Sequence, residues 1–155
     1  MPFFENANKK KRQPAQNNRW WVSALKRTDG SAILQVPTTL KKYTELCKIA
    51  VTLSGINLRD IDKEYRTYEL CKLAIEDSSW AFDYVPTNID NYAELCKLAV
   101  TKNPNILQHI PHDLRTLELC KIEIESRGLK KSWIIELNSG LIIIDERNQQ
   151  SNDEL

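Results

Sequence analysis

The chain has 155 residues, 41% of them hydrophobic and 28% charged, with a formal net charge of +1. This is enough chain for one folded domain with a real core. It holds no apolar run near the roughly 18 residues of a membrane span, and its near-neutral balance gives no electrostatic footprint for nucleic acid.

The charge is unevenly placed. Residues 1–19 carry Lys9, Lys10, Lys11, Arg12 and Arg19 against Glu5, and residues 145–155 carry Asp145, Glu146, Asp153 and Glu154 against Arg147. A neutral body is thus expected between a basic disordered tail, 1–18, and a polar disordered tail, 147–155. No apolar segment followed by small residues marks a secretory leader at the N-terminus. "KKKR" at 9–12 reads as a solvated tail, with a nuclear-localisation or phosphate-contacting patch as the sharper alternative. The terminal "NDEL" resembles an endoplasmic-reticulum retrieval signal but has no leader to bring it there.

From residue 19 onward one phrase recurs: "YTELCKIAV" from Tyr43, "TYELCKLAI" from Thr67, "YAELCKLAV" from Tyr92 and "TLELCKIEI" from Thr116. Cys47, Cys71, Cys96 and Cys120 mark its period, and Val22 stands one period before Cys47 as a degenerate first member. Aligned on these positions, Gly30, Gly55, Ser79, Pro104 and Gly128 form a column of helix breakers, and Pro37, Asp62, Pro86 and Pro111 form a second punctuation column. A fixed period of about 24–25 residues signals stacked repeats.

Within each repeat an amphipathic helix comes first. Tyr92, Leu95, Cys96, Ala99 and Val100 follow the i, i+3, i+4, i+7, i+8 stripe of a buried helix face. Ala50, Ala74 and Ala99 share one column, suited to close helix approach. Glu94 and Lys97 are expected to pair along the outer side of their helix, and Asn91 with Glu94 to form a capping box. A shorter helix follows, marked by the pairs Ile33/Val36, Leu58/Ile61, Phe82/Val85 and Leu107/Ile110. Leu40, Tyr65, Ile89 and Leu114 then anchor the linker into the next repeat.

The expected fold is therefore all-α: an α-solenoid of about five short helical-hairpin repeats with terminal caps. The domain runs over 19–146, with repeats near 19–42, 43–66, 67–90, 91–115 and 116–137. The last unit departs from the pattern, since Glu123 replaces the alanine and Ile135 the proline. "SWIIELNSGLIIID", with Trp133, is either a β-hairpin or a last short helix with an extended tail; the helical cap is the preferred reading.

At this point the repeats resemble a known group. "ELCKLAVTKNPNILQHIP", followed by "HDLRT" and another "LELCK", is similar to a family of short helical repeats of unknown function. That family occurs in bacteria living inside eukaryotic cells, often in type IV-secreted effectors. The resemblance covers about residues 20–136. It implies an effector translocated into a host cell, or a regulator of one, and the polar tail "DERNQQSNDEL" would suit a type IV secretion signal. The evenly spaced cysteines, expected to be buried, separately point to a reducing cytoplasm. The resemblance implies no activity and no catalytic residues.

The residues offer little chemistry. There is no nucleophile elbow, metalloprotease, P-loop or dinucleotide motif, so no enzyme and no cofactor is expected. The cysteines read as small buried hydrophobes. His109 and His112 flank Pro111, which breaks the helix that would aim both rings at one metal. What remains is the set of columns that vary. Arg59, Asp60, Trp80, Asp83, Tyr84, Gln108 and His109 fall in neighbouring stripes along one face, where aromatic residues and arginine favour protein contacts. A non-catalytic protein-interaction scaffold is the expected function. A helical-repeat nucleic-acid binder, stacking bases on Trp80 and Tyr84, is the alternative, opposed by Asp60 and Asp83 in the same stripes.

Overall fold

A computed structural model of the chain describes residues 17–128 together with the backbone of 134–137 and 140–143. Residues 1–16 and 144–155, with the "KKKR" and "NDEL" motifs, and Trp133 lie outside the described residues. The last two residues of the expected basic tail, Asn17 and Asn18, are instead the cap and first residue of the first helix.

The described body is all-α. Five helices, α1 (Asn18–Arg27), α2 (Tyr43–Leu53), α3 (Tyr68–Asp77), α4 (Tyr92–Lys102) and α5 (Leu117–Ser126), each pack on their neighbours in sequence. After each of the first four comes a 3-10 turn: Ser31–Gln35, Gly55–Asp60, Ser79–Tyr84 and Pro104–His109. These turns also pack in order, each on the next, forming a continuous ridge beside the helices. The 3-10 form explains their apolar spacing, because i and i+3 eclipse at three residues per turn. Ile33, Leu58, Phe82 and Leu107 are buried together with Val36, Ile61, Val85 and Ile110. The residue after each turn is extended (ψ between 125° and 135°), as a following proline requires at Val36, Val85 and Ile110. Ile61 takes the same conformation before Asp62.

The alanine column is where the layers meet. Ala50, Ala74 and Ala99 are fully buried, and their carbonyls accept the closing amides of Ser54, Ser78 and Asn103 at 3.1, 2.8 and 2.9 Å. A Cβ added at Gly55 would stand 2.3 Å from the Ala74 carbonyl oxygen. Glycine at 55 is thus set by the close approach of the next helix. The Gly55 amide is held in place by the Asp77 carboxylate at 2.7 Å.

The first repeat is registered differently from the expectation. The Thr28 amide closes α1 onto the Ala24 carbonyl, so Ala24 takes the alanine place and Trp21, three residues before it, takes the place of the cysteine. Trp21 is buried, whereas Val22, expected there, is only partly so. One extra residue restores the register of the turn: Asp29 and Gly30 both adopt left-handed backbone, with φ of 51° and 86°. Asn57, the one buried polar residue among the described residues, secures this bulge. Its side-chain amide donates to the Asp29 carbonyl at 2.8 Å and to the Ala50 carbonyl at 2.9 Å.

A longer period, two repeats in length, overlies the shorter one. Arg66 and Arg115 stand that far apart and play the same part. Arg66 donates to the carbonyls of Ile61, Tyr84 and Arg59 at 2.7, 2.6 and 3.1 Å. Arg115 donates to those of Ile110 and Gln108 at 2.9 and 3.1 Å. Each arginine follows a short 3-10 turn, Lys63–Tyr65 or His112–Leu114, and precedes a threonine. Thr67 and Thr116 cap α3 and α5, accepting the amides of Leu70 and Leu119, a side-chain cap typical of helix starts. The helices between them begin otherwise. α2 and α4 start on a buried tyrosine, Tyr43 or Tyr92, and neither Lys42 nor Asn91 caps with its side chain.

The Asn91–Glu94 capping box is accordingly absent. Asn91 sits in left-handed backbone (φ 58°), which is not the extended conformation from which a cap side chain reaches the N3 amide. Glu94 and Lys97 also do not pair with each other. Glu94 accepts a hydrogen bond from the Tyr68 hydroxyl at 2.7 Å, and Lys97 bridges to Glu118 at 2.6 Å. Both contacts run between helices, from α3 to α4 and from α4 to α5.

Beyond α5 the expected helical cap gives way to strands. Ile134–Leu137 (β1) and Gly140–Ile143 (β2) pair antiparallel, with Ile134 opposite Ile143 and Leu137 opposite Gly140. Two runs rich in isoleucine favour extended backbone.

Candidate functional site

The ridge of 3-10 turns brings the sequence-predicted residues together, in two groups. In the first, the Arg59 guanidinium lies 3.2 Å from the Asp60 carboxylate. Asp60, and after it Tyr84, push the guanidinium's pKa above its usual value. Tyr84, half-buried, is tied through its carbonyl to Arg66. In the second group, His109 meets Asp83 through Nδ1, 2.8 Å from the carboxylate. Its ring stands edge-on to Trp80 at 5.7 Å. Gln108 reaches the other imidazole nitrogen at 3.2 Å.

These groups are anchored by the fold beneath them. Arg66 ties the carbonyls of Arg59 and Tyr84, one from each of two successive turns, and Arg115 holds the carbonyl of Gln108. The backbone of the ridge is therefore fixed where its side chains vary. Trp80 remains 46% exposed despite its His109 contact. Leu34, in the same column as Arg59, Asp83 and Gln108, is 72% exposed. It extends the ridge with an apolar end.

The four cysteines lie inside the core, away from the ridge. All are buried free thiols. Burial is the leading cause that raises the pKa of Cys47, Cys71 and Cys96 to about 11, and it raises Cys120 as well. A thiol so placed is almost wholly protonated at neutral pH and is a poor nucleophile.

The repeat alignment alone gives no sign of a second surface feature. Grooves open between α2 and α3 and between α4 and α5, at places two repeats apart. The first encloses about 150 Å³ and the second about 440 Å³. Their lining residues are repeat positions, such as Tyr65 and Leu114, that a sequence reading assigns to packing.

The model of one family, described as a domain of unknown function (DUF4116), matches residues 67–115. That stretch is one complete long period, from the cap Thr67 to the carbonyl-binding Arg115. Neither the curated proteins nor the solved structures contain a match to this chain. No helix among the described residues is long and apolar enough to cross a membrane.

Proposed function

We propose that the repeats stack as a short α-solenoid and that the chain is a non-catalytic protein–protein interaction scaffold, its partner docking on the ridge of 3-10 turns. The observation that carries this reading is Trp80: nearly half exposed, braced by His109, and flanked by Asp83 and Tyr84 on backbone that Arg66 and Arg115 hold rigid. A large aromatic side chain pre-positioned among polar neighbours is the usual anatomy of an interface hot spot. Order in the free state also spares part of the entropic cost of binding. The resemblance to repeats of intracellular bacteria makes a secreted effector, or a regulator of one, the context we propose for that scaffold. Binding of nucleic acid is disfavoured because Asp60 and Asp83 share the ridge with the aromatic residues and would repel phosphate.

Affinity capture from host-cell and bacterial lysates tests the proposal, with wild type beside the triple variant Arg59→Glu, Asp83→Lys, Tyr84→Ala. The expected result is one stoichiometric protein partner, lost in a variant whose helical circular dichroism is unchanged. Retention of nucleic acid alone, released by moderate salt, would overturn the reading.

A further inference from the structure

The two helix-pair grooves are built from the same parts. Lys48, Glu69 and Leu70 line the first, and their counterparts two repeats on, Lys97, Glu118 and Leu119, line the second. They differ at two matched positions, Tyr65 and Thr44 in the first against Leu114 and Ala93 in the second. In the first groove Tyr65 lies edge-on to Tyr43 at 4.8 Å and lines the space between the helices. In the second its place is taken by Leu114, which cannot span that gap and is left 40% exposed. Tyr92, the counterpart of Tyr43, tilts against Phe82 instead. The second groove is larger, about 440 Å³ against about 150 Å³.

The rim of the larger groove is acidic. Glu94, Asp113 and Glu118 stand around it against Lys97 alone. Glu118 is engaged by Lys97, and Glu94 by the Tyr68 hydroxyl. Among the described residues, no ion pair or hydrogen bond involves the Asp113 side chain.

We infer that the α4–α5 groove is a second docking site, for a partner segment that inserts an aromatic side chain flanked by lysine or arginine. The ring occupies the place that Tyr65 takes in the first groove, on Tyr92, Leu114 and Leu119. The flanking cations meet Asp113 and Glu118. The first groove is the template: the chain itself shows that an aromatic ring satisfies this helix pair. The site is separate from the ridge, and it stands or falls independently of the ridge reading.

The test uses the full chain and fluorescein-labelled peptides Gly-Lys-X-Lys-Gly, with Phe, Tyr or Trp at X, followed by anisotropy. Saturable binding by at least one of them is expected. Alanine at X, or glutamate for both lysines, should weaken it at least tenfold. Leu114→Tyr, which copies the first groove into the second, should weaken it at least tenfold without lowering the midpoint of thermal unfolding. The ridge triple variant should bind as wild type does. No saturable binding by any aromatic peptide, or equal binding by Leu114→Tyr, overturns the inference. Loss in the ridge variant with retention in Leu114→Tyr overturns it too, and leaves the ridge reading standing. Should Leu114→Tyr fail to fold, Asp113→Lys decides: binding weakened at least tenfold supports the site, and unchanged binding contradicts it.

Discussion

Residues 43–67 and 92–116 are two castings of one design, and their differences show what the design leaves free. Each begins with a buried tyrosine four residues before a buried cysteine, passes through a fully buried alanine, and ends on an arginine and a capping threonine. Between these fixed points the exposed residues diverge: Arg59 and Asp60 correspond to Gln108 and His109, and Tyr65 corresponds to Leu114. The carbonyl-binding arginines and capping threonines recur every second repeat because each satisfies backbone groups left open at every pair of helices. Surface positions meet no such demand and are available for recognition.

The comparison breaks most easily at a close backbone approach found in one casting alone, Gly55, whose counterpart two repeats on is Pro104. Gly55→Ala drives a Cβ to 2.3 Å from the Ala74 carbonyl and is expected to cost about 3 kcal/mol, at the upper end of overpacking effects. Gly128→Ala meets nothing within 4 Å, so only its positive φ counts, at about 1 kcal/mol. Urea denaturation of both variants measures the difference.

The arginines come next. Arg66→Ala loses three carbonyl contacts, one of them to the following turn, and should cost about 2 kcal/mol after allowance for its partial exposure. Arg115→Ala loses two contacts and should cost about half as much. Arg66→Lys should recover only part, because an ammonium lacks the guanidinium's planar fork. Equal losses at 66 and 115 in chemical denaturation would mean that the contact to Tyr84 adds nothing.

Much of this architecture was legible in the sequence. The helices, the turns after them and the buried stripe around Ala99 all follow from columns of apolar residues and breakers. The arginine-bearing period was not, because an alignment on the cysteine period places Arg66 beside Asp90 and Lys41 and so averages the alternation away. Trp21 escaped because the bulge at Asp29 shifts the first helix by one residue, and periodicity cannot see a compensating Asn57. The Asn91 box failed because its motif specifies side chains, while the left-handed backbone at Asn91 decides the outcome. The terminal hairpin followed the β-branched residues rather than the repeat. The ridge residues were found as varying columns, but the Asp83–His109–Trp80 contacts join separate turns and show only in three dimensions. The α4–α5 groove had no signal at all, since Leu114 looks like a packing residue until Tyr65 is seen lining the matching place.

Smaller effects sharpen the account further. Thr67→Ala and Thr116→Ala each remove a helix cap and should cost about 1 kcal/mol, whereas Asn91→Ala removes no cap bond. Circular dichroism melts of the three variants distinguish these cases.

A separate effect is in pH. The thiols of Cys47, Cys71 and Cys96, raised to about 11, and the Tyr92 hydroxyl, raised to about 12, hold their protons more tightly folded than unfolded. An unfolded thiol ionises at about 8.5 and an unfolded tyrosine at about 10. The unfolded chain therefore binds fewer protons above these values, and stability falls as pH rises from about 8.5 toward 11. Below about pH 7 these groups contribute almost no pH dependence. A thiol reagent at pH 8 should modify them only at the rate of unfolding, and rapid modification of the native chain would contradict their burial.

The most direct measurement concerns the two-helix unit. One form of the protein carries residues 67–115 twice in succession, which rejoins Arg115 to Thr67 and preserves every carbonyl-binding arginine and threonine cap. A second form carries residues 67–90 twice, which places Asp90 before Thr67. In stacked repeats stability grows with each compatible unit. Urea denaturation should show a higher midpoint and steeper slope than wild type for the first form, and a lower midpoint for the second. Equal gains in both forms, or a loss in the first, would contradict the two-helix unit on which the account rests.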